Sequence, residues 1–548
     1  MNSKDNKKTV KFIVDGCRKY SGGIFICCLC SLFSSVGLIS LALFSRTVID
    51  IAVGDRNGNF TFYCVMLFVI IVGIIVVNII NAGLKVRIEG KLDISFKRQL
   101  FSAITEKSYS SVKNYHSGEL INRMSSDIQT VVKGVTGIIP SVVSLVSKLV
   151  LGLIALATIS GKLTLIIMAV GIIVPVMGRL ISRKYKFLHK EYQRTMGVVK
   201  SFLQECFENI AVIKTFPSIK PTEKKLNGAL YDNYGFLIRR NRFNIFASSG
   251  LYFVFTVGYY ALLVWGALNI GNNVFTYGTL IAFLQIVSQL RAPLQNISGI
   301  LPQYYSMTAS AERLMEIVSL EREVKSEKTV SAQDFKYIEA DNISFTYGDG
   351  DVITDSSFRI ERGSITAVVG SSGSGKSTLF KILLGLLNCK RGTIKINGDI
   401  CIDASCRHLF SYVPQGSMIL SGTILENLTV CRENITMDEV VNAVKTADIY
   451  DYIMSLPKGF DTLLSEHGMG MSEGQLQRIA IARAVLCDSP VLLLDECTSA
   501  LDEKTEETVL ANIKSLSDKT VVLITHRKKC LEICDNILEF DNKKIIQK

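Results

Sequence analysis

The chain has 548 residues, 48% of them hydrophobic and 20% charged, with a mean hydropathy of +0.31. A soluble chain of that length divides into domains and does not average a positive hydropathy, and nine prolines with long apolar stretches exclude a disordered or collagen-like chain. The 14 cysteines are scattered, eight of them beyond residue 380 in a half that reads as cytosolic, which excludes a secreted disulfide scaffold.

The net charge of +12 conceals a division. Residues 1–333 carry 38 Lys/Arg against 19 Asp/Glu, a net of +19, whereas residues 334–548 carry 23 against 30, a net of −7. Apolar stretches occur at about 22–49, 61–84, 135–160, 163–182, 244–270 and 276–302, each near the roughly 20 residues that a helix needs to cross a bilayer. The basic residues concentrate in loops beside these stretches, which points to the cytoplasmic face of a membrane and not to nucleic acid. Lys4, Lys7, Lys8, Lys11, Arg18 and Lys19 place the N-terminus in the cytoplasm, and six spans return the chain to that side. The first stretch is too long for a cleaved signal, and no small-residue cleavage site follows a short apolar core.

The loops alternate in length. Residues 50–60, Ser160-Gly161-Lys162 and about 270–276 are short outer turns. Residues 85–134 and 183–243 are long, basic and poor in Pro and Gly, so they read as helices continuing out of the membrane. A charged run beginning Glu321-Arg-Glu-Val-Lys-Ser-Glu-Lys328 reads as a linker. The expected division is a helical membrane domain over 1–320, a linker over 321–336 and an α/β domain with a parallel sheet over 337–548.

In the second half, Gly370-Ser-Ser-Gly-Ser-Gly-Lys-Ser-Thr378 follows the expected strand Ile365–Val369 and opens a helix. In that context the run is a P-loop, with Gly370, Ser371, Gly373, Ser374, Gly375 and Thr378 in the phosphate cradle. Lys376 would reach the β- and γ-phosphates of ATP, and Ser377 would ligate Mg²⁺. Downstream, Val491-Leu-Leu-Leu-Asp495-Glu496 is an apolar strand ending in two acids. Asp495 fits the Mg²⁺ side, and Glu496 is placed to activate a water as general base.

Met471-Ser-Glu-Gly-Gln475, continuing as LQRIAIARAVL, resembles the signature sequence of ABC ATPases. The resemblance implies that Tyr347 stacks on adenine, that Gln415 is the Q-loop glutamine acting in catalysis and on the metal, and that Ser499-Ala-Leu-Asp502 is the D-loop. It also implies that His526 is the switch histidine, and that Ser472, Gly474 and Gln475 meet the ATP held by another copy. Met471 and Glu473 depart from the usual Leu and Gly of the signature, and Leu420 stands where Phe is common. Ser465-Glu466-His467-Gly468 keeps the glutamate that in exporters touches the partner's coupling helix.

The first half is similar to exporters of this family: Gly118-Glu-Leu-Ile-Asn-Arg-Met-Ser-Ser-Asp127 resembles their first cytoplasmic loop and Glu205–Phe216 their second, regions bearing short coupling helices. The implied protein is a half-transporter in a bacterial plasma membrane, with cytoplasmic N-terminus and ATPase domain. It would use two ATPs at the interface of a dimer and export a peptide or amphipathic small molecule. A homodimer is the default because every catalytic motif is present, with a heterodimer open. A lipid or lipid-linked flippase and a multidrug pump are the alternatives on this fold. About 20 residues precede the first span, which leaves no room there for the peptidase domain found in some peptide exporters.

Ionisable residues in membrane helices are functional candidates by default. Arg46, Lys148 and Arg291 are the cargo candidates, biased towards anionic substrates. Arg179 reads as snorkelling at an inner end. Asn78, Asn81, Gln285 and Gln289 either bind cargo or hold helices together, and Cys27 and Cys30 read as packing.

Overall fold

The computed structural model describes residues 3–548 except 160, 216–218, 272–273, 349, 417–418, 465–469 and 517; the side chains of 3–6, 162–163, 165–183, 186, 251, 291–299, 301 and 528–529 are also outside the description. The chain forms two compact units, residues 1–103 with 117–319, and residues 104–116 with 320–548.

The first unit is helical. An amphipathic helix α1 (Ser3–Cys17) buries Thr9, Ile13 and Cys17 at a spacing of four. Next come α2 (Ser21–Val53), α3 (Phe60–Thr105), a short α5 (Ser117–Asn122), α6 (Ile128–Ile159), α7 (Gly161–Glu208), α8 (Ile210–Thr215), α9 (Ile219–Gly271) and α10 (Tyr277–Val318). The 46 residues of α3 span about 69 Å at 1.5 Å per residue, over twice the hydrocarbon thickness, so the helix must project beyond the membrane. Its burial agrees: only Ile88, Leu92, Phe96 and Leu100 are buried, all in the second half. Among the described residues four helices are long and apolar enough to cross a membrane: Lys7–Val53, Phe60–Thr105, Ser117–Ile159 and Ile219–Gly271. The expected spans 163–182 and 276–302 fall on α7 and α10, where many side chains lie outside the described residues.

Packing among α2, α6 and α10 is close where small residues face large ones. Ile39 and Ala42, Ala155 and Leu156, and Phe283, Ile286 and Leu290 form one cluster. Between α5 and α6 the chain makes a π turn at Arg123–Asp127, a widening that turns two charged side chains inward. Asp127 accepts from Ser310 Oγ at 2.9 Å and from both arms of Arg313 at 2.8 and 2.5 Å. Arg123 reaches the Arg313 carbonyl, Glu119 and Glu316.

The second unit is α/β. β1 (Tyr337–Tyr347), β2 (Gly350–Glu361), β4 (Arg391–Ile396) and β5 (Ile400–Cys401) form an antiparallel sheet in the order β2-β1-β4-β5. β3 (Ile365–Gly370), β6 (Phe410–Val413), β9 (Val491–Asp495), β10 (Thr520–Ile524), β11 (Asn536–Asp541) and β12 (Lys544–Gln547) form the main sheet, ordered β12-β11-β3-β10-β9-β6 and parallel except at β12. Every residue of β9 and β10 is buried, as expected for strands covered on both faces. Leu493 and Val522 face a core shared with Ile338, Phe380 and Leu383, while Leu492, Leu494, Val521 and Leu523 face a helical core with Ile479 and Ile481. The helices of this unit are α11 (Lys376–Leu383), α12 (Ile424–Thr429), α13 (Met437–Thr446), α14 (Tyr450–Ser455), α15 (Glu473–Leu486), α16 (Glu503–Lys514) and α17 (Lys528–Glu532), with a small ladder of β7 (Gly422–Thr423) on β8 (Leu463–Leu464).

Residues 104–116, with α4 (Tyr109–Lys113), belong to this second unit although they lie within the long loop of the first half. Ser108 N–H donates to the Glu321 carbonyl at 2.9 Å, Glu323 N–H to the Glu106 carbonyl at 3.0 Å, and Lys107 Nζ to the Leu320 carbonyl at 2.7 Å. Tyr109 packs on the sheet core. The first loop thus carries two short helices, Tyr109–Lys113 in this unit and Ser117–Asn122 within the Gly118–Asp127 run on which the resemblance rested. The linker is strapped down by Arg407, which grips the Glu323 carboxylate at 2.7 and 2.8 Å, and by Asp403, which accepts from Ser326 N–H at 2.8 Å.

Candidate nucleotide site

Four parallel strands deliver the expected site residues to one edge of the sheet. The P-loop leaves the C-terminal end of β3, Gln415 follows β6, Asp495 ends β9, and His526 follows β10. β10 lies between β3 and β9, with Ile524 level with Asp495 on one side and Val368 on the other. Open α/β sheets bind their ligands at such an edge.

Gly375, at φ 111°, turns the P-loop into α11, and a Cβ there would meet Val352 Cγ1 at 2.6 Å, so only glycine fits. Lys376 is buried and donates to the Gly370 and Ser371 carbonyls, each at 2.9 Å. Burial lowers its pKa, against the pull of Glu496 and Asp495. Ser374 Oγ is buried without a hydrogen-bond partner among the described residues. Ser377 Oγ donates to Asp495 Oδ1 at 3.3 Å, and the Tyr412 hydroxyl donates to Asp495 Oδ2 at 3.3 Å. Burial holds the Asp495 carboxyl above its ordinary range, and Glu496 beside it adds to the effect.

Glu496 sits at φ 50°, in the left-handed region that an L side chain occupies only under strain. Its N–H bonds the Ile524 carbonyl at 3.2 Å, which ties the turn after β9 to β10. Gln415 Nε2 donates to Glu496 Oε2 at 2.8 Å, and His526 Nε2 lies 3.7 Å from Glu496 Oε1. Of the expected metal trio, Ser377 and Asp495 are joined, whereas Gln415 turns its amide to Glu496. Tyr347 is 42% exposed at the end of β1, set edge-on to Phe345, with Lys113 Nζ 5.6 Å from its ring centre.

These residues fit Mg²⁺ and ATP. Phosphate oxygens would satisfy the Ser374 hydroxyl and draw Lys376 from its carbonyls, and the divalent ion would take Ser377 and the buried Asp495. Among the described residues no group of three or more His, Cys, Asp or Glu could hold a metal by itself, as expected for an ion that keeps phosphate ligands.

The signature residues lie elsewhere in the unit. Ser472 caps α15 in a reciprocal box with Gln475: Ser472 N–H donates to Gln475 Oε1 at 2.8 Å and Gln475 N–H to Ser472 Oγ at 3.3 Å. A Cβ on Gly474 would lie 2.7 Å from the Ala500 carbonyl. Asp502 caps α16 through Thr505 N–H at 3.1 Å. Among the described residues no hydrogen bond or ion pair joins the signature to the P-loop. Ser465–Gly468, with Glu466, lies outside the described residues.

Three contacts of the site were not read from sequence. Tyr412 touches Asp495, Gln477 accepts from Ala500 N–H at 3.3 Å, and Arg527 donates to the Ser499 carbonyl at 3.0 Å. Gln477 and Arg527 thus grip the D-loop from the signature helix and from the residue after His526. Tyr412 stands three residues before Gln415, which was the signal available.

In the first unit, Arg46 lies 3.6 Å from Asp50, four residues on, and Asp50 accepts from Gly278 N–H at 3.0 Å. Asp50 thus joins α2 to the start of α10, with Arg46 as its i, i+4 ion-pair neighbour. Asn78 accepts from Ser34 at 2.8 Å and Gln289 donates to the Leu38 carbonyl at 3.1 Å, both as contacts between helices. Lys148 is half-buried on α6 with no ion pair among the described residues. The side chains of Arg179 and Arg291 lie outside the described residues.

Residues 24–294 match the family model of the ABC transporter transmembrane region, and residues 353–499 match that of the ABC transporter ATPase domain. The chain is 30% identical over 480 residues to a Haemophilus influenzae protein described as a probable ABC transporter ATP-binding/permease protein, covering 82% of this chain and 83% of that one. It is 27% identical over 548 residues to an ATP-dependent lipid A-core flippase of the same species, covering 96% and 92%. It is 29% identical over 436 residues to a fatty acid ABC transporter ATP-binding/permease protein of Mycobacterium bovis, covering 79% and 69%. The fold is similar to that of a bacterial Atm1-family ABC exporter with ATP bound, with a TM-score of 0.81, 22% identity, and 97% and 95% of the two chains covered.

Proposed function

We infer, for a chain that belongs to the ABC transporter family as an exporter-type half-transporter, that two copies form one pump moving an anionic amphiphile out of the cytoplasm. ATP hydrolysis coupled to transport comes with the family. The dimer is supported by the separation of P-loop and signature within one chain. It is also supported by α8, whose Ile210 and Val212 are 43% and 52% exposed and are available to another copy. The N-terminus and ATPase unit face the cytoplasm in this reading, and the membrane is the bacterial plasma membrane.

Within each site Lys376, Ser374 and the P-loop backbone hold the phosphates, and Tyr347 offers its exposed face to adenine. Ser377 and Asp495 would hold Mg²⁺, which would supply charge neutralisation at the phosphates. Glu496 accepts the proton of the attacking water, which requires Gln415 to leave its carboxylate, and His526 steadies the γ-phosphate. Ser472 and Gly474 of the other copy close the site. Differential binding of ATP by the closed dimer supplies the shift between inward- and outward-open states.

Cargo chemistry is argued from Lys148, a half-buried cation without an ion pair among the described residues, on an apolar helix. An ammonium so placed favours an acidic head group, and the relatives named for lipid A-core and fatty acid handling have acidic amphiphiles as cargo. This favours the lipid alternative over the peptide reading of the sequence. The test is ATP turnover of the reconstituted chain beside Glu496→Gln, with added acidic amphiphile, a neutral one of equal chain length, or peptide. Stimulation by the acidic compound alone, lost in Lys148→Ala, is expected. Equal stimulation by both, or stimulation by peptide only, overturns the cargo assignment.

A further inference from the structure

Outside the nucleotide site, two thiols share one acceptor. Cys431 lies two residues beyond α12 and is exposed; Cys487 follows the last residue of α15 and is half-buried. Cys431 Sγ lies 3.8 Å and Cys487 Sγ 3.3 Å from the same Arg483 carbonyl oxygen, so the two sulfurs converge on one backbone atom. The flanking backbone is held in place by charge. Arg432 lies 3.8 Å from Asp488, and Asp488 is also bonded by Lys519 at 3.3 Å.

We propose that Cys431 and Cys487 form a reversible thiol–disulfide site, with Cys431 the attacking thiolate and Cys487 the resolving thiol. The environment separates the roles. Once Cys431 is ionised, the single proton of the Cys487 thiol can turn from the Arg483 carbonyl to the Cys431 sulfur; that hydrogen bond, with Arg432 and Arg483 adding to it, lowers the Cys431 pKa to about 7 against the effect of partial burial. The same bond and burial push Cys487 up, so it remains the protonated partner.

The co-reactant is a small disulfide such as oxidised glutathione. Cys431 thiolate attacks one sulfur, the S–S bond breaks, and one small thiolate leaves and takes up a proton. Cys487 then loses its proton to solvent and attacks Cys431 Sγ, which expels the second small thiolate. Two protein thiols are oxidised to one disulfide, and one small disulfide is reduced to two thiols. The closed loop, residues 431–487, contains the signature. In a reducing cytosol the pair rests as dithiol, so it registers oxidising conditions.

The test uses the full chain in lipid nanodiscs, treated with oxidised glutathione near pH 7.5, quenched with alkylating reagent and digested for mass spectrometry. Exposed Cys401 is the internal reference. The expected result is a Cys431–Cys487 cross-linked peptide in the wild type, reversed by dithiothreitol, with Cys401 reacting at least tenfold more slowly. Cys487→Ser should instead hold glutathione on Cys431, and Cys431→Ser should leave Cys487 unmodified. A wild type that stops at the glutathione adduct, or in which Cys431 reacts no faster than Cys401, overturns the proposal. The assay reads chemistry and not transport, so its outcome is separate from that of the cargo test.

Discussion

Two aspartates, one in each unit, are each 2% exposed, yet their surroundings differ in kind. Asp127 in the helical unit receives both arms of Arg313 and the Ser310 hydroxyl. Asp495 in the ATPase unit receives two hydroxyls at 3.3 Å and has a second acid next to it in sequence. A buried carboxylate that has its cation built in is a fastener. One whose hydrogen-bond donors are all neutral, with lysines acting only at a distance, is destabilising until a cation arrives, and at a P-loop that cation comes with the nucleotide. Burial alone does not identify a functional acid; what the neighbours leave unpaired does.

The comparison is broken most directly by neutralising each acid. Asp495→Asn should lower ATP turnover by about a hundredfold or more, the scale of losing a charge-stabilising group, in a phosphate-release assay. The same change should leave thermal stability without nucleotide unchanged or raised. The sign follows from the raised pKa: burial penalises the carboxylate once the pH exceeds both its folded and unfolded values, and asparagine has no such penalty. Asp127→Asn should do the reverse and lower stability by about 1.5–3 kcal/mol, the scale of losing hydrogen bonds to a charged group, since the Arg313 left behind is 45% exposed, with turnover per folded molecule retained.

A smaller effect is expected at Gly278. A Cβ there would lie 2.2 Å from the Arg46 carbonyl and 2.5 Å from Asp50 Oδ1, so Gly278→Ala should lower stability by about 1–3 kcal/mol, read as a thermal shift in nanodiscs. Asp403 supplies a pH test. Burial opposes ionisation, but bonds from Ser326 and Ser405 hold its pKa below the ordinary value of 3.8. Its contribution is full above that value and is lost as pH falls through the folded one, so acid should release the linker. Cleavage of residues 321–336 by an acid protease should rise there, and Asp403→Asn should show raised cleavage of the same segment by a neutral protease at about pH 7. Tyr412→Phe is the mildest change: loss of one hydroxyl, about 1 kcal/mol, should raise the Mg²⁺ concentration for half-maximal turnover a few-fold with little change at saturation.

The ATPase site was largely legible because its chemistry sits at strand ends and helix starts that local sequence announces. The P-loop glycines, the apolar run into Asp495 and the box of Ser472 with Gln475 are short-range patterns. What was hidden depends on partners far away in the chain. Residues 104–116 attach to the ATPase unit through backbone bonds to Leu320–Glu323, which no side-chain pattern records. Asp50 one turn after Arg46 is an i, i+4 partner that was present in the sequence and not read from it. Asn78 and Gln289 could be sorted from cargo contacts only once the facing helices were known.

The attachment of residues 104–116 also sets how the molecule can be divided. A protein cut at residue 320 would keep the whole nucleotide site but would lose Tyr109 from its apolar seat, leaving the Leu320–Glu323 backbone as an unpaired edge. Such a fragment is incomplete in the manner of a split reporter, and a synthetic peptide of residues 104–116, added in trans, is the piece that would complete it.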